Sequence, residues 1–189
     1  MNRLSIAFIS LVFATAPALA SAADAGSAEA APAASGSAGQ RDIAVTISPL
    51  HLLSPILELT TEFRVDDRVG VAAIGGFGRV DREFWAFLAG GQMRWYALGS
   101  FAHGLQLGGQ LLYLHVNSSD IDGSGIGGAG NGLALGPFLG YKFTSSVGLT
   151  VEVQGGVQVL AIDTAADDGS TARGGSFGPL ANANIGWSF

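Results

Sequence analysis

The chain has no cysteine among its 189 residues. That excludes a disulfide framework, a thiolate metal site and a lipid-modified amino-terminal cysteine. Charge is sparse too: Asp, Glu, Lys and Arg make up 13% of the chain, below the usual share of a water-soluble domain. The formal net charge is −6 with only nine basic residues, so the chain has no basic face for nucleic acid. Histidine occurs only at His51, His103 and His115, at no metal-ligating spacing, and the sequence implies neither a metal nor a cofactor. Past the amino-terminal segment no run of 18 apolar residues occurs, which excludes membrane-spanning helices.

What is plentiful is glycine, at 29 residues, alongside a positive mean hydropathy. Disordered glycine-rich chains are not this apolar. The amino terminus, "MNRLSIAFISLVFATAPALASAAD", has a basic Arg3, an apolar stretch from Leu4 to Ala14 and a small-x-small site at Ala18-Leu19-Ala20. Residues 1–20 therefore read as a secretory signal peptide, with cleavage after Ala20 or, as the near alternative, after Ala22. Residues 21–40 contain only Ala, Ser, Gly, Asp, Glu, Pro and Gln and read as a disordered leader. A secreted, apolar chain without spanning helices has one other way to satisfy its backbone in lipid, a closed β-barrel.

Residues 41–189 carry the corresponding pattern. In "LTVEVQGGVQVL", 149–160, Leu149, Val151, Val153, Val157 and Val159 share one face, and Thr150, Glu152, Gln154 and Gln158 the other. The same alternation appears in 56–65, 85–97, 105–115, 133–143 and 180–189. It is weaker in 42–52, which meets Pro49, and in 69–79, rich in Gly and Ala. The total is eight strands, the even number of an up-and-down antiparallel barrel. The connections after strands two, four and six are short; 117–131 and 163–175 read as long polar loops, and those after strands one and three as intermediate. Both chain ends then lie on the short-turn side.

A soluble β-sandwich also alternates, but its polar face should be charged. Here that face is mostly Gln, Asn, Gly and Thr. Trp85 and Trp95 lie ten residues apart on one apolar face, roughly 25 Å along the normal of a tilted strand. With Tyr113 and Trp187 they make a candidate interfacial girdle. The parity of the strands sends Glu58, Glu62, Glu152, Arg64, Arg94 and Lys142 inward, where opposite charges can neutralise one another and plug the lumen. Gly doublets at 75–76, 90–91, 108–109 and 155–156 should point one residue in and one out, the inward one making room for long neighbours such as Arg94 and Gln154.

"HVNSSD", 115–120, is the candidate for chemistry, with His115 and Ser118 as potential base and nucleophile. It resembles the lipid A deacylase barrels in placing His and Ser near a strand end. Those barrels carry His-x-Ser on one face; the spacing here sends the two residues to opposite faces. His115 follows the lipid-facing parity of Tyr113 and is more simply an interfacial histidine. "GSGIGGAG", 123–130, matches a dinucleotide glycine pattern but precedes a strand instead of a helix, so it reads as a loop. "DIDGSG", 120–125, opens like a calcium loop but has no closing glutamate. "NSS" at 117 fits a glycosylation sequon, which has little force in a bacterium. "SPLHLLSP", 48–55, ends strand one or caps the barrel mouth.

The alternation, the eight segments and the ending "IGWSF" resemble the small outer-membrane barrels of the OmpA-transmembrane-domain and OmpX type. The resemblance is architectural and covers 42–189. It implies that Ile185, Trp187 and Phe189 form a signal read by the barrel assembly machinery, and that the protein sits in the bacterial outer membrane among lipid and lipopolysaccharide as a monomer. The expected function is non-enzymatic: a plugged barrel presenting surface loops. The alternatives are a lipid-modifying enzyme using His115, and a narrow channel.

Overall fold

A computed structural model describes residues 41–53, 55–79, 84–118, 128–166 and 171–189. The segments read as signal peptide and leader lie outside them, as do most of the glycine pattern and the whole of "DIDGSG". The described chain is all-β. Eight strands run β1 (Ile43–Ile47), β2 (Ile56–Asp66), β3 (Val69–Arg79), β4 (Phe84–Gly99), β5 (His103–Ser118), β6 (Gly128–Thr144), β7 (Leu149–Ala166) and β8 (Thr171–Ser188), with one short helix, α1 (Pro49–Leu52). Each strand pairs antiparallel with its neighbours in sequence, and β1 pairs with β8, closing the barrel. No helix among the described residues is long and apolar enough to cross a membrane, which says nothing about crossing by strands.

Period-two alternation makes this sheet two-faced, and closure decides which face becomes the interior. The apolar face turns outward. Among the described residues 17 buried side chains are polar or charged against 10 buried hydrophobic residues, while 33 large hydrophobic side chains are exposed. Within the Gly doublets the outward members are Gly75, Gly91, Gly109 and Gly155, so the one-in, one-out expectation holds. Their inward partners do not serve the charged residues as expected. A Cβ on Gly90 would lie 2.7 Å from Leu112 Cδ2, and one on Gly108 2.3 Å from Phe138 Cζ. Space for the polar core comes instead from Gly70, against Glu62 Oε1 at 2.2 Å, and Gly140, against Gln154 Cγ at 3.0 Å.

Four boundaries differ from the sequence reading. Strand one stops at Ile47, because Pro49 lacks the N–H a ladder needs and fits the first turn of a helix. Ser48 caps that turn, its Oγ accepting from His51 N at 3.4 Å. The ends of the stretches 117–131 and 163–175 are strand and not loop: β5, β6, β7 and β8 extend into them and stay paired through Ser118↔Gly128 and Ala165↔Thr171, while 119–127 and 167–170 lie outside the described residues. His103, which falls in the short connection between the sequence segments 85–97 and 105–115, opens β5. The barrel is therefore oblique, with 16 to 18 residues in each of β5–β8 but 11 in β2 and in β3. The rim with the chain ends has tight turns, two of which use Gly at positive φ, Gly99 at 92° and Gly148 at 104°.

Candidate functional site

The lumen is filled by a layered polar core. Arg94 on β4 donates from Nη1 to Glu62 Oε2 at 2.8 Å and to Glu152 Oε2 at 2.6 Å, and from Nε and Nη2 to Gln92 Oε1 at 2.9 and 2.6 Å. Lys142 Nζ donates to Glu62 Oε2 at 2.8 Å, and Tyr96 Oη to Glu62 Oε1 at 2.7 Å. Glu152 also accepts from Gln154 at 2.6 Å and Asn184 at 3.2 Å. Two acids and two bases thus share one cluster, each at most 2% exposed. Mutual neutralisation and complete hydrogen bonding are the conditions under which buried charges persist. Gln92, Gln110, Gln154 and Gln158 continue the network towards the rim opposite the chain ends.

Of the six charged residues assigned inward by parity, four meet and two do not. Glu58 is buried but lies higher, accepting from Asn182 Nδ2 at 3.1 Å and facing His51 Nδ1 of α1 at 3.1 Å. Arg64 reaches the short-turn rim, where it hydrogen-bonds Asp42 and lies 3.5 Å from Asp67. Parity fixes the side of the wall; the distance along the axis decides the partner. The sequence reading also missed Phe101. This turn residue is 2% exposed, and Lys142 Nζ lies 3.7 Å from its ring centroid. With Tyr96 in an edge-on contact at 6.0 Å, Phe101 fills the short-turn mouth. An aromatic in a "GSFAH" turn is the only signal that pointed to it.

The outer wall carries the aromatic residues of the candidate girdle. Trp85, Trp95, Tyr113 and Trp187 are all exposed. Trp95 and Trp187 lie towards the short-turn rim, paired with Val69 and Val45; Trp85 and Tyr113 lie towards the other, paired with Arg79 and Ala89. Leu, Val, Met and Phe side chains occupy the wall between them. Ile185, Trp187 and Phe189 point outward along β8 and its end; Ile185 and Trp187 pair with Ile47 and Val45, and Phe189 N donates to Ile43 O at 2.8 Å.

His115 is outward and half-buried. Its Nδ1 lies 2.9 Å from Asn131 Oδ1, and its ring meets Trp85 edge-on at 5.7 Å. β5 runs without a bulge from His115 to Ser118, so their register positions fall on opposite faces of the sheet. Comparison with family models, curated proteins and solved structures gives no match for the chain.

Proposed function

We propose that the protein is an integral outer-membrane β-barrel of the OmpA-transmembrane-domain and OmpX kind, non-enzymatic, with a plugged interior and a far rim that faces the outside of the cell. One observation carries this reading: the barrel is inside-out for a water-soluble protein, with charges neutralised in the lumen and large apolar side chains on the wall. Soluble proteins rarely expose continuous apolar surface on this scale, whereas a bilayer solvates it. The aromatic residues support the same reading, since Trp85 and Trp95 flank an apolar zone roughly 25 Å tall, the height of the apolar band of such barrels. Closure pairs β8 with β1 over Ile185–Ser188, so that part of the seam presents no open strand edge to lipid.

On this reading Ile185, Trp187 and Phe189 address the chain to the barrel assembly machinery, and the barrel works as a monomeric platform. The test is expression of the full chain in a Gram-negative host, with cell fractionation and electrophoresis of heated and unheated samples. The expected result is an outer-membrane protein whose migration shifts on heating. A soluble protein indifferent to heat refutes the proposal.

A further inference from the structure

One row of cross-strand partners changes character as it circles the barrel. On β2, β3 and β4 its outward residues are Leu57, Phe77 and Phe87, in direct register. The same row continues as His115, Asn131, Asp163 and Arg173 on β5 to β8. Strands tilt in a closed barrel, so a row at right angles to them climbs along the axis. The change from apolar to polar marks where the row leaves the apolar belt, on the side where the strands are longest.

The four polar side chains form a ledge of two bonded pairs in adjacent register. Asp163 accepts from Arg173 Nε at 2.5 Å and Nη2 at 3.1 Å. Asn131 Oδ1 accepts from Tyr113 Oη at 2.5 Å and lies against His115 Nδ1. Beneath the ledge the next register partners are Tyr113, Leu133, Ala161 and Gly175. The small residues there leave a depression of about 280 Å³ bordered by Tyr113, Asn131, Leu133, Asp163 and Arg173. A second depression, of about 560 Å³, shares Tyr113 and Leu133 with the first and runs down the wall over Gly91, Gly109, Leu111 and Leu135. Both depressions are lined mainly by apolar surface, and Asn131, Asp163 and Arg173 border the upper one, so together they make a groove that is apolar along its floor and polar at its upper edge.

Resting on the membrane reading, we infer that this groove binds an outer-leaflet glycolipid, with a sugar of its headgroup on the His115–Asn131–Asp163–Arg173 ledge and an acyl chain over Gly91 and Gly109. The ligand chemistry follows from the donor set. A carboxylate, a guanidinium, an amide and an imidazole side by side offer acceptors and donors to neighbouring hydroxyls. Trp85 and Tyr113 add rings able to pack on the C–H face of a sugar. Asp163 and Arg173 cancel in charge, which favours a hydroxyl-rich group over a bare anion or cation. The upper depression is near the low end of ligand pockets in size and suits one ring. The apolar groove beneath selects a lipid-borne sugar over a free one.

The test uses the full chain in phospholipid nanodiscs and native mass spectrometry. The probes are lipid A, soluble glucosamine disaccharide, phosphatidylethanolamine and phosphatidylglycerol. The expected result is retention of lipid A at least tenfold above either phospholipid and above the free disaccharide. The double variant Asp163→Ala/Arg173→Ala should lose that preference. Gly109→Leu should weaken lipid A retention; its new side chain is tolerated because a Cβ there meets only Gly136 O, at 4.0 Å. Equal retention of phosphatidylglycerol overturns the sugar assignment, and equal binding of the free disaccharide overturns the lipid-borne source. Variants that match the wild type overturn the site. A protein that inserts and shifts on heating but shows no preference refutes this inference and leaves the membrane reading standing.

Discussion

Replacing Arg94 by Met should destabilise the barrel more than any other single removal of charge from the lumen. Arg94 is the only cation within hydrogen-bond reach of Glu152, at 2.6 Å, among the described residues. It also serves Glu62 at 2.8 Å and makes two bonds to Gln92 Oε1. Its loss leaves two buried carboxylates and a single ammonium, Lys142, which reaches only Glu62. Removing one partner from a buried ionic cluster costs about 3–5 kcal/mol, because the charge left behind is neither hydrated nor paired. Lys142→Met should cost less, about 2 kcal/mol, the scale of one lost charged hydrogen bond, since Glu62 keeps Arg94 and Tyr96. Adding Glu152→Gln to Arg94→Met restores balance between Glu62 and Lys142 and should recover about 1–3 kcal/mol. Equilibrium unfolding by urea of the full chain in detergent micelles measures all four proteins, with the fluorescence of Trp85, Trp95 and Trp187 as the signal. If Arg94→Met unfolds within about 1 kcal/mol of wild type, or Lys142→Met proves the weaker barrel, the shared-cluster argument fails.

Gly186→Ala should open the seam between β8 and β1, because a Cβ there would lie 2.0 Å from Val45 O. A loss of about 1–3 kcal/mol is expected in the same unfolding assay, against about 0.5 kcal/mol or less for Gly155→Ala, where nothing lies within 4 Å. Deleting Phe189 removes an exposed ring and the backbone bonds from Asp42 N to Phe189 O and from Phe189 N to Ile43 O, so stability in detergent should fall by only about 2 kcal/mol. Assembly in cells, followed by fractionation, should fall far more, and normal insertion counts against the address reading. In planar bilayers the wild type and Phe101→Ala should both show no steady conductance, because the Arg94 cluster closes the lumen above Phe101. Reproducible channel steps from the wild type would falsify the plugged interior.

The barrel was legible in the sequence because alternation reports the face of every residue in the belt. Trp85, Trp95, Glu62 and Arg94 fall on the walls their parity assigns. The signal stops where its cause stops. Above the belt an outward residue need not be apolar, so Asn131, Asp163 and Arg173 looked like loop residues although they extend β6, β7 and β8. Relative height was equally hidden, since register is set by turn lengths and by bulges such as those at Arg64/Asp66 and Tyr96/Leu98. That is why Glu58 and Arg64 could be placed inside but not matched with partners. The ledge beginning at His115 was invisible for the same reason: its members are close in space only through register.

The closing seam has a consequence for the order of assembly. Seven of the eight strand pairings join consecutive segments, and each closes a short length of chain. The pairing of β1 with β8 alone joins the two ends, and it does so through four register partners, where β7 and β8 share seventeen. Contacts distant in sequence cost the most loop entropy and form late. The hairpins therefore build an open, curled sheet first, and the weakest junction of the wall is also the last to form. A barrel made this way has a built-in slit along β1, the line at which it would be zipped shut and the first to part under strain.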